Sequence, residues 1–146
     1  MKKITKWHTY SLLLLTSTLF NPTTVRASGP DDAKGLWMTD VKDAVIRFDN
    51  CSDRPGALCG TIVWDIDAGT PADTCGERVI QLDNYTDEAW RDGWVYDPRE
   101  DKTYKGKVSV EGAEMSIRAF IGFTVLGKTE HLARTDQLPA SPSCKQ

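Results

Sequence analysis

The sequence predicts an all-β protein whose strands form one small antiparallel barrel, cross-linked by disulfides. Three observations lead to this fold class. Apolar and polar residues alternate with a period of two over most of the chain, turn residues separate about eight such segments, and the four cysteines are an even number. A chain of 146 residues holds one domain, and a long meander hides its edge strands completely by closing into a barrel. A β-sandwich is the alternative architecture.

The first segment of the chain, residues 1–27, has the features of a secretory signal peptide. Lysines precede a short apolar run at 10–20, and Ala27 ends a cleavage motif of small residues. Cleavage near Ala27 would leave a barrel domain at 28–136 and a tail with Pro and Ser at 137–146. We therefore expect a periplasmic or secreted protein.

The charge of the exported chain excludes some classes of partner. Cleavage after Ala27 removes four of the 18 basic residues and none of the 21 acidic ones, so 14 bases would remain against 21 acids, a net charge of −7. An acidic chain without a basic cluster is unsuited to binding nucleic acid. The apolar run is too short to span a bilayer as a stable helix, and no second run follows, so we expect no membrane span. The pattern predicts no cofactor and no metal.

The cysteines predict two disulfides, because thiols in an oxidising compartment pair. Four cysteines permit three pairings. We favour Cys51 with Cys59, since the Asp-Arg-Pro-Gly segment between them is a turn sequence that brings the two ends together. Cys75 would then pair with Cys144 in the tail. A zinc site of four thiolates is the rival interpretation, and the absence of any C-x-x-C pair in the sequence counts against it.

The first half of the exported chain contains four strand candidates. Residues 35–39 and 44–49 are the first two, and the second of these has one fully apolar face. The third strand places four residues on one face: Leu58, Gly60, Ile62 and Trp64. Residues 65–76 have the composition of a long loop, and 79–82 form a short fourth strand.

The second half contains four more strands. Residues 93–96 form a strand that ends before a proline, which cannot donate to a ladder. Residues 104–110 and 115–119 alternate on either side of a Glu-Gly turn and form a hairpin. The last strand covers about 128–134, and the segment 86–90 is the one place where a capped helical turn is predicted.

Large aromatic residues within the predicted strands are the main candidates for a functional role. They either fill the barrel or form the wall of a cup that holds an apolar or amphipathic ligand. The predicted wall of such a cup consists of seven residues: Trp37, Ile62, Trp64, Trp94, Tyr96, Tyr104 and Met115. A small hydrophobic molecule is then the expected partner. If the barrel is filled, the alternative is an envelope structural or protein-interaction module.

No complete catalytic or metal-binding motif is present, so we expect a protein that is not an enzyme. The segment beginning at Asp65 does not match the EF-hand calcium-binding loop, because Gly69 occupies a ligand position and Gly76 stands where the last ligand should be. His131 is the one histidine after the signal peptide, so a Ser-His-Asp triad would have to be built around it. No nucleophile motif accompanies His131, and we interpret it as a residue of the barrel wall.

The first and last strands of the predicted barrel resemble those of lipocalins. Gly35-Leu36-Trp37 opens the first strand and Arg134 closes the last. In lipocalins the indole of a G-x-W motif packs at the closed end, and an arginine from the last strand lies over it as a cation–π partner. First and last strands of a closed barrel are neighbours, so the resemblance implies a structural pair of Trp37 and Arg134.

Three further segments resemble a bacterial exported family known as domain of unknown function 2147. They are Cys59-Gly60-Thr61-Ile62-Val63-Trp64, the run from Trp90 to Tyr104 with its Y-D-P-x-x-x-K-x-Y pattern, and a glycine-containing run over 118–129. The match covers about 35 to 134. The resemblance implies a calycin-like barrel and brings no established activity and no catalytic residues.

Overall fold

Eight antiparallel strands in chain order make up the protein, as described by a computed structural model over residues 27–145. The predicted signal peptide, except for Ala27, lies outside the described residues. Within 27–145 no helix has the length and apolar character needed to cross a membrane. The strands are β1 (Gly35–Thr39), β2 (Ala44–Asn50), β3 (Leu58–Asp65), β4 (Arg78–Thr86), β5 (Ala89–Asp97), β6 (Lys102–Glu111), β7 (Glu114–Phe120) and β8 (Gly127–Thr135).

The sheet closes on itself, which confirms the predicted barrel over the sandwich. Each strand pairs with the next, and β1 also pairs with β8. Trp37 of β1 lies opposite Ile46 on one side and opposite Arg134 on the other. Among the eight strands of the described region, closure leaves no edge free to pair with another chain.

One half of the barrel is filled with side chains. Six large inner residues are at most 1% exposed: Trp37, Phe48, Leu58, Leu82, Val108 and Met115. Burying side chains of this size stabilises a fold by roughly 1.5–3 kcal/mol each. This packed half anchors the strands at what we call the closed end.

A 3-10 turn, Pro30–Ala33, lies across the closed end. Three aromatic side chains donate hydrogen bonds to backbone carbonyls of this turn or of Ser28, two residues before it. The pairs are Trp37 Nε1 to Ala33 O (2.8 Å), Trp90 Nε1 to Pro30 O (3.1 Å) and Tyr85 Oη to Ser28 O (2.7 Å). The segment before β1 is therefore part of the fold and seals this end of the barrel.

Arg134 covers the outer side of the same end. Its guanidinium lies 4.2 Å from the centroid of the Trp37 ring and donates hydrogen bonds to Lys34 O (3.0 Å) and to Asp32 O. Gly35 makes this approach possible, because its φ is +117° and a Cβ there would lie 3.1 Å from Arg134 Nη1. The G-x-W motif therefore meets a steric and conformational requirement of the closed end.

Two disulfides cross-link the chain, as predicted. Cys51 is bonded to Cys59 across the β2–β3 loop, and Cys75 is bonded to Cys144. Since β8 ends at the closed end, the tail must run back along the outside of the barrel to reach Cys75 in the β3–β4 loop. All four sulfurs are in S–S bonds, which leaves no thiolate for zinc. Disulfides are typical of proteins outside the cytoplasm.

The segment 86–90 differs from its prediction. It forms a tight hairpin between β4 and β5 rather than a helical turn. Asp87 and Glu88 both have positive φ, at 48° and 55°, and two such residues match the right-handed twist of the flanking strands. As a result β5 begins at Ala89, four residues before the predicted start.

Candidate ligand-binding cavity

The other half of the barrel encloses a cavity of about 630 Å³. This volume lies within the range of pockets that bind small molecules. Its lower wall is aliphatic and is built by inner-face residues of six strands: Ile46, Ile62, Ile80, Val95, Ile117 and Leu132. The cavity lies directly above the packed core, since these six residues also belong to the core cluster or pack against it.

Four loops surround the mouth of the cavity, which we call the open end. In a meander, alternate loops lie at the same end of the barrel. The loops at 40–43, 66–77, 98–101 and 121–126 all contribute lining residues. The chain therefore contributes these four connections to the mouth, whereas the shorter turns and the first disulfide lie at the closed end.

The rim of the cavity is charged, and acids predominate. Six carboxylates and two strong bases line it: Asp43, Asp65, Asp67, Asp97, Glu100 and Glu130, with Arg99 and Lys128. Most of these charges lie in the loops or at the strand ends next to them, whereas Lys128 and Glu130 lie within β8, and Glu130 is paired with Ile117 of the aliphatic wall. The cavity thus has an apolar interior and a polar opening.

Arg99 is shared among three of these carboxylates. Its guanidinium nitrogens lie 3.2 Å from Asp97, 3.8 Å from Glu130 and 4.0 Å from Asp43. The hydrogen bond to Asp97, with the charges of all three acids, raises the pKa of Arg99. Because this side chain is 61% exposed, each ion pair contributes little to stability. The arrangement places the Arg99 guanidinium among three acids at the mouth.

Asp65, at the end of β3, is the one charged residue that is buried in the described part of the chain, with 6% of its surface exposed. Its carboxylate accepts hydrogen bonds from the backbone N–H groups of Asp67 (2.8 Å) and Thr74 (2.8 Å) and from the Thr74 hydroxyl. These bonds attach the β3–β4 loop to the barrel. The Asp65 charge is thus held by neutral donors.

Two tyrosines donate hydrogen bonds to carboxylates of the β5–β6 turn. Tyr104 Oη donates to Glu100 Oε2 (2.5 Å), and Lys128 Nζ lies 3.3 Å from Glu100 Oε1. The bond from Tyr104, followed by that from Lys128, lowers the pKa of Glu100, and the same bond raises the pKa of Tyr104. Tyr96 donates to Asp101 (3.0 Å), which raises the pKa of Tyr96.

The β7–β8 loop at 121–126, which we call the apolar lip, exposes four large hydrophobic residues. Their exposed fractions are 71–81%: Ile121, Phe123, Val125 and Leu126. Arg118 holds the loop by donating to the carbonyls of Thr124 (2.6 Å) and Val125 (3.1 Å). Ile121 and Leu126 also line the cavity, so the apolar surface of the lip continues into the interior.

The structure divides the seven predicted wall residues into three groups. Ile62, Tyr96 and Tyr104 line the cavity. Trp37 and Met115 are fully buried in the packed half. Trp64 and Trp94 lie on the outer face of the barrel and are not part of the cavity lining.

A β-bulge explains the position of Trp64. Ile62 lies opposite Ile46, and Trp64 lies opposite Val45, which directly precedes Ile46. The strand β3 therefore has one extra residue between Ile62 and Trp64. Residues paired across antiparallel strands share a face, and the bulge therefore turns Trp64 outward together with Val45. Both side chains are nevertheless buried, at 6% and 0% exposure.

A similar irregularity in β5 separates its two tryptophans. Trp90 pairs with Val108 and is buried in the core, whereas Trp94 pairs with Lys105 and is half-buried on the outer face. Asp92, between them, has a φ of 59°. Sequence reasoning missed Trp90 because its strand was predicted to begin at residue 93. The apolar alternation that predicted inner faces for β2, β3 and β7 did indicate Ile46, Ile62 and Ile117.

His131 does not form a catalytic triad. Its Nδ1 lies 2.9 Å from Glu114 Oε1 and 3.3 Å from Ser116 Oγ. A triad needs the acid on one ring nitrogen and the nucleophile on the other, whereas here both groups meet the same nitrogen. Ser116 and His131 are paired residues of β7 and β8, on the face opposite to buried Met115 and Leu132, so their contact is on the outer face. His131 is nevertheless also among the residues that line the cavity.

Comparison with solved structures finds a lipocalin-like neighbour. Protein HP1028 from the human pathogen Helicobacter pylori, described as belonging to the lipocalin family, has a TM-score of 0.53 at 15% identity, over 71% of this chain and 83% of that one. At this identity the likeness concerns the fold alone. No curated protein matches the chain. The profile of the family DUF2147, described as uncharacterized protein conserved in bacteria, matches residues 35–134. The chain therefore belongs to the DUF2147 family and has a lipocalin-like fold.

Proposed function

We propose that the protein is an exported, non-enzymatic binder of one small apolar or amphipathic molecule, held in the open half of the barrel. The observation that carries the proposal is the contrast between the two halves. One is filled by side chains that are at most 1% exposed, and the other is a cavity of about 630 Å³ with an aliphatic wall. A pocket of this size with an apolar wall and a few polar groups is typical of a ligand site.

The apolar lip supports this reading of the cavity. Ile121 and Leu126 are exposed to solvent and also line the mouth. An apolar molecule would thus meet a continuous apolar surface on its way into the barrel. Large apolar patches on a protein surface generally mark sites of interaction.

Two observations support export and a non-enzymatic role. The disulfides fit an oxidising compartment, in agreement with the expected signal peptide. His131, the candidate general base of the exported chain, has both of its side-chain partners, Ser116 and Glu114, on one ring nitrogen. The alternative role, an interaction module with a filled barrel, is disfavoured by the cavity.

A substitution that fills the cavity tests the proposal. Ala119 lies on the inner face of β7 and lines the cavity, so Ala119→Phe should occupy part of the space and weaken the binding of apolar ligands at least tenfold. Ala133→Phe is the matched control, because Ala133 is exposed on β8. Native mass spectrometry of protein purified from its own cell envelope, followed by extraction, would identify a bound molecule.

The outcomes separate the two roles. If the purified protein carries an extractable ligand that Ala119→Phe loses and Ala133→Phe retains, the cavity is the binding site. If no ligand is found, and calorimetry detects no binding of fatty acids, isoprenoids or aromatic metabolites, the proposal is wrong. The alternative role as a protein-interaction module is then favoured. Circular dichroism would check that both variants keep the fold.

A further inference from the structure

We propose that the cavity selects amphipathic molecules with a cationic head, such as an amine or ammonium group on an apolar chain. This inference rests on the proposed function and names the class of ligand for the same site. It is carried by the arrangement of charges at the mouth above an aliphatic interior. The apolar chain would lie against the aliphatic wall, and the head would remain at the level of the loops.

The charges that line the mouth are unbalanced. Six carboxylates are accompanied by Arg99 and Lys128 as the two strong bases, an excess of four negative charges. A cleft that carries one sign of charge beside low-dielectric walls concentrates the field and attracts ions of the opposite sign. An anionic head would instead be placed next to like charges and would lose its water of hydration without compensation.

The ion pairs within the mouth leave this excess in place. Arg99 is the single base within 4.0 Å of three acids, Asp43, Asp97 and Glu130. One positive charge cannot neutralise three negative ones, so this part of the rim stays acidic. Lys128 pairs with Glu100 and adds no surplus positive charge.

Asp65 adds a buried charge without a counter-ion. It lines the cavity and is 6% exposed, and its hydrogen-bond donors, the N–H groups of Asp67 and Thr74 and the Thr74 hydroxyl, are neutral. Among the ion pairs of residues 27–145, none includes Asp65. Charges in proteins are rarely this buried without a partner of opposite sign. A cationic head at the mouth would supply that partner.

The test compares ligands that share one chain and differ in the head. Dodecylamine, dodecanol and dodecanoate, titrated by calorimetry at neutral pH below their micellar concentrations, present a cation, a neutral hydroxyl and an anion. We expect dodecylamine to bind about tenfold more tightly than dodecanol, a difference that corresponds to about 1.4 kcal/mol, and dodecanoate to bind most weakly. Added salt should weaken the binding of dodecylamine and leave that of dodecanol unchanged.

Paired substitutions separate a local charge effect from the net charge of the protein. Asp67→Asn with Glu130→Gln removes two rim charges and should weaken dodecylamine binding about tenfold relative to dodecanol binding. Asp49→Asn with Glu111→Gln makes the same change in net charge at exposed positions outside the cavity lining, and should leave both affinities within about twofold.

Failure of this inference differs from failure of the proposed function. If dodecanol and dodecanoate bind as tightly as dodecylamine, or if the control pair weakens the amine as much as the rim pair, the cavity binds apolar chains but does not select cations. If none of the three ligands binds, the proposed function fails, and the inference fails with it.

Discussion

At the scale of single residues, Trp37 joins the packed core to the segment before β1 through three kinds of interaction. Its ring is fully buried, its Nε1 donates to Ala33 O at 2.8 Å, and the guanidinium of Arg134 lies 4.2 Å from the ring centroid. It therefore joins the packed core to the segment that seals the closed end. Alanine at this position would lose all three interactions.

We expect Trp37→Ala to reduce the free energy of unfolding by about 3–5 kcal/mol, because it opens a cavity in a packed core. Trp94→Ala is the control, since Trp94 is half-buried on the outer face, and its loss should be close to the average of about 1 kcal/mol. Urea unfolding followed by circular dichroism measures both. Equal losses would contradict the assignment of Trp37 to the core.

A second residue-scale prediction concerns the pair Tyr104 and Glu100. Their hydrogen bond of 2.5 Å raises the pKa of Tyr104 and lowers that of Glu100. A raised phenol pKa means that the bond stabilises the fold below about pH 10, the ordinary tyrosine value, and that this contribution is lost as pH rises through the higher folded value. The lowered carboxyl pKa means a contribution that is lost as pH falls through the folded value.

Glu100→Gln should shift the ionisation of Tyr104 back toward its ordinary pKa, as measured by the absorbance of tyrosinate. Tyr104→Phe identifies which transition belongs to this residue. Asp101→Asn is the control, because it removes the partner of Tyr96 (3.0 Å) and should shift the ionisation of Tyr96 instead. If Glu100→Gln leaves the tyrosinate titration unchanged, the hydrogen bond does not set the pKa of Tyr104.

The residue scale is also where sequence reasoning about the site was weakest. Alternation predicts faces only while the strand stays regular, and a single extra residue in β3 moved Trp64 from the predicted inner face to the outer one. The predicted inner faces hold for Ile46, Ile62 and Ile117, which line the cavity, although Ile46 and Ile62 lie beside the register shift between β2 and β3. The charged mouth arises from loops that meet in space, so no local pattern indicated it.

At the scale of elements, eight strands were predictable because period two and turn residues recur throughout the chain. The start of β5 was not predictable, since Asp87 and Glu88 adopt positive φ and no glycine in the sequence indicates the tight turn. The longest loop, between β3 and β4, is held both by Asp65 and by Cys75–Cys144. This disulfide joins the mouth of the cavity to a tail that begins at the closed end.

Removing the two disulfides separately should have unequal effects. Serine at both Cys75 and Cys144 should cost about 4 kcal/mol of unfolding free energy, because the bond closes a loop with a sequence separation of 69. Serine at both Cys51 and Cys59, with a separation of 8, should cost about 2.5 kcal/mol. Urea unfolding of the two double variants gives the comparison. The opposite order would mean that native-state contacts, rather than loop entropy, dominate.

At the scale of the whole molecule, stability and binding are assigned to opposite halves of one barrel. The closed half contains the fully buried aromatic and aliphatic core. The open half contains the cavity, its charged rim and the apolar lip. Substitutions of Ile121 and Leu126, the two apolar lip residues that line the cavity, should therefore change ligand affinity with little change in stability, since surface substitutions are usually within ±0.5 kcal/mol.

Substitutions in the apolar lip distinguish a role in ligand binding by the cavity from a role in docking another protein. Ile121 and Leu126 line the cavity mouth, whereas Phe123 and Val125 are exposed without lining it. Ile121→Ser with Leu126→Ser should weaken binding of an apolar ligand about tenfold, since two apolar contacts are lost at the entrance. Phe123→Ser with Val125→Ser should leave the affinity within about twofold, because these side chains lie outside the lining. Calorimetry with dodecanol measures both pairs. If both lip pairs leave ligand affinity unchanged, the lip has no part in ligand entry, and its exposed surface is better explained by contact with a protein partner.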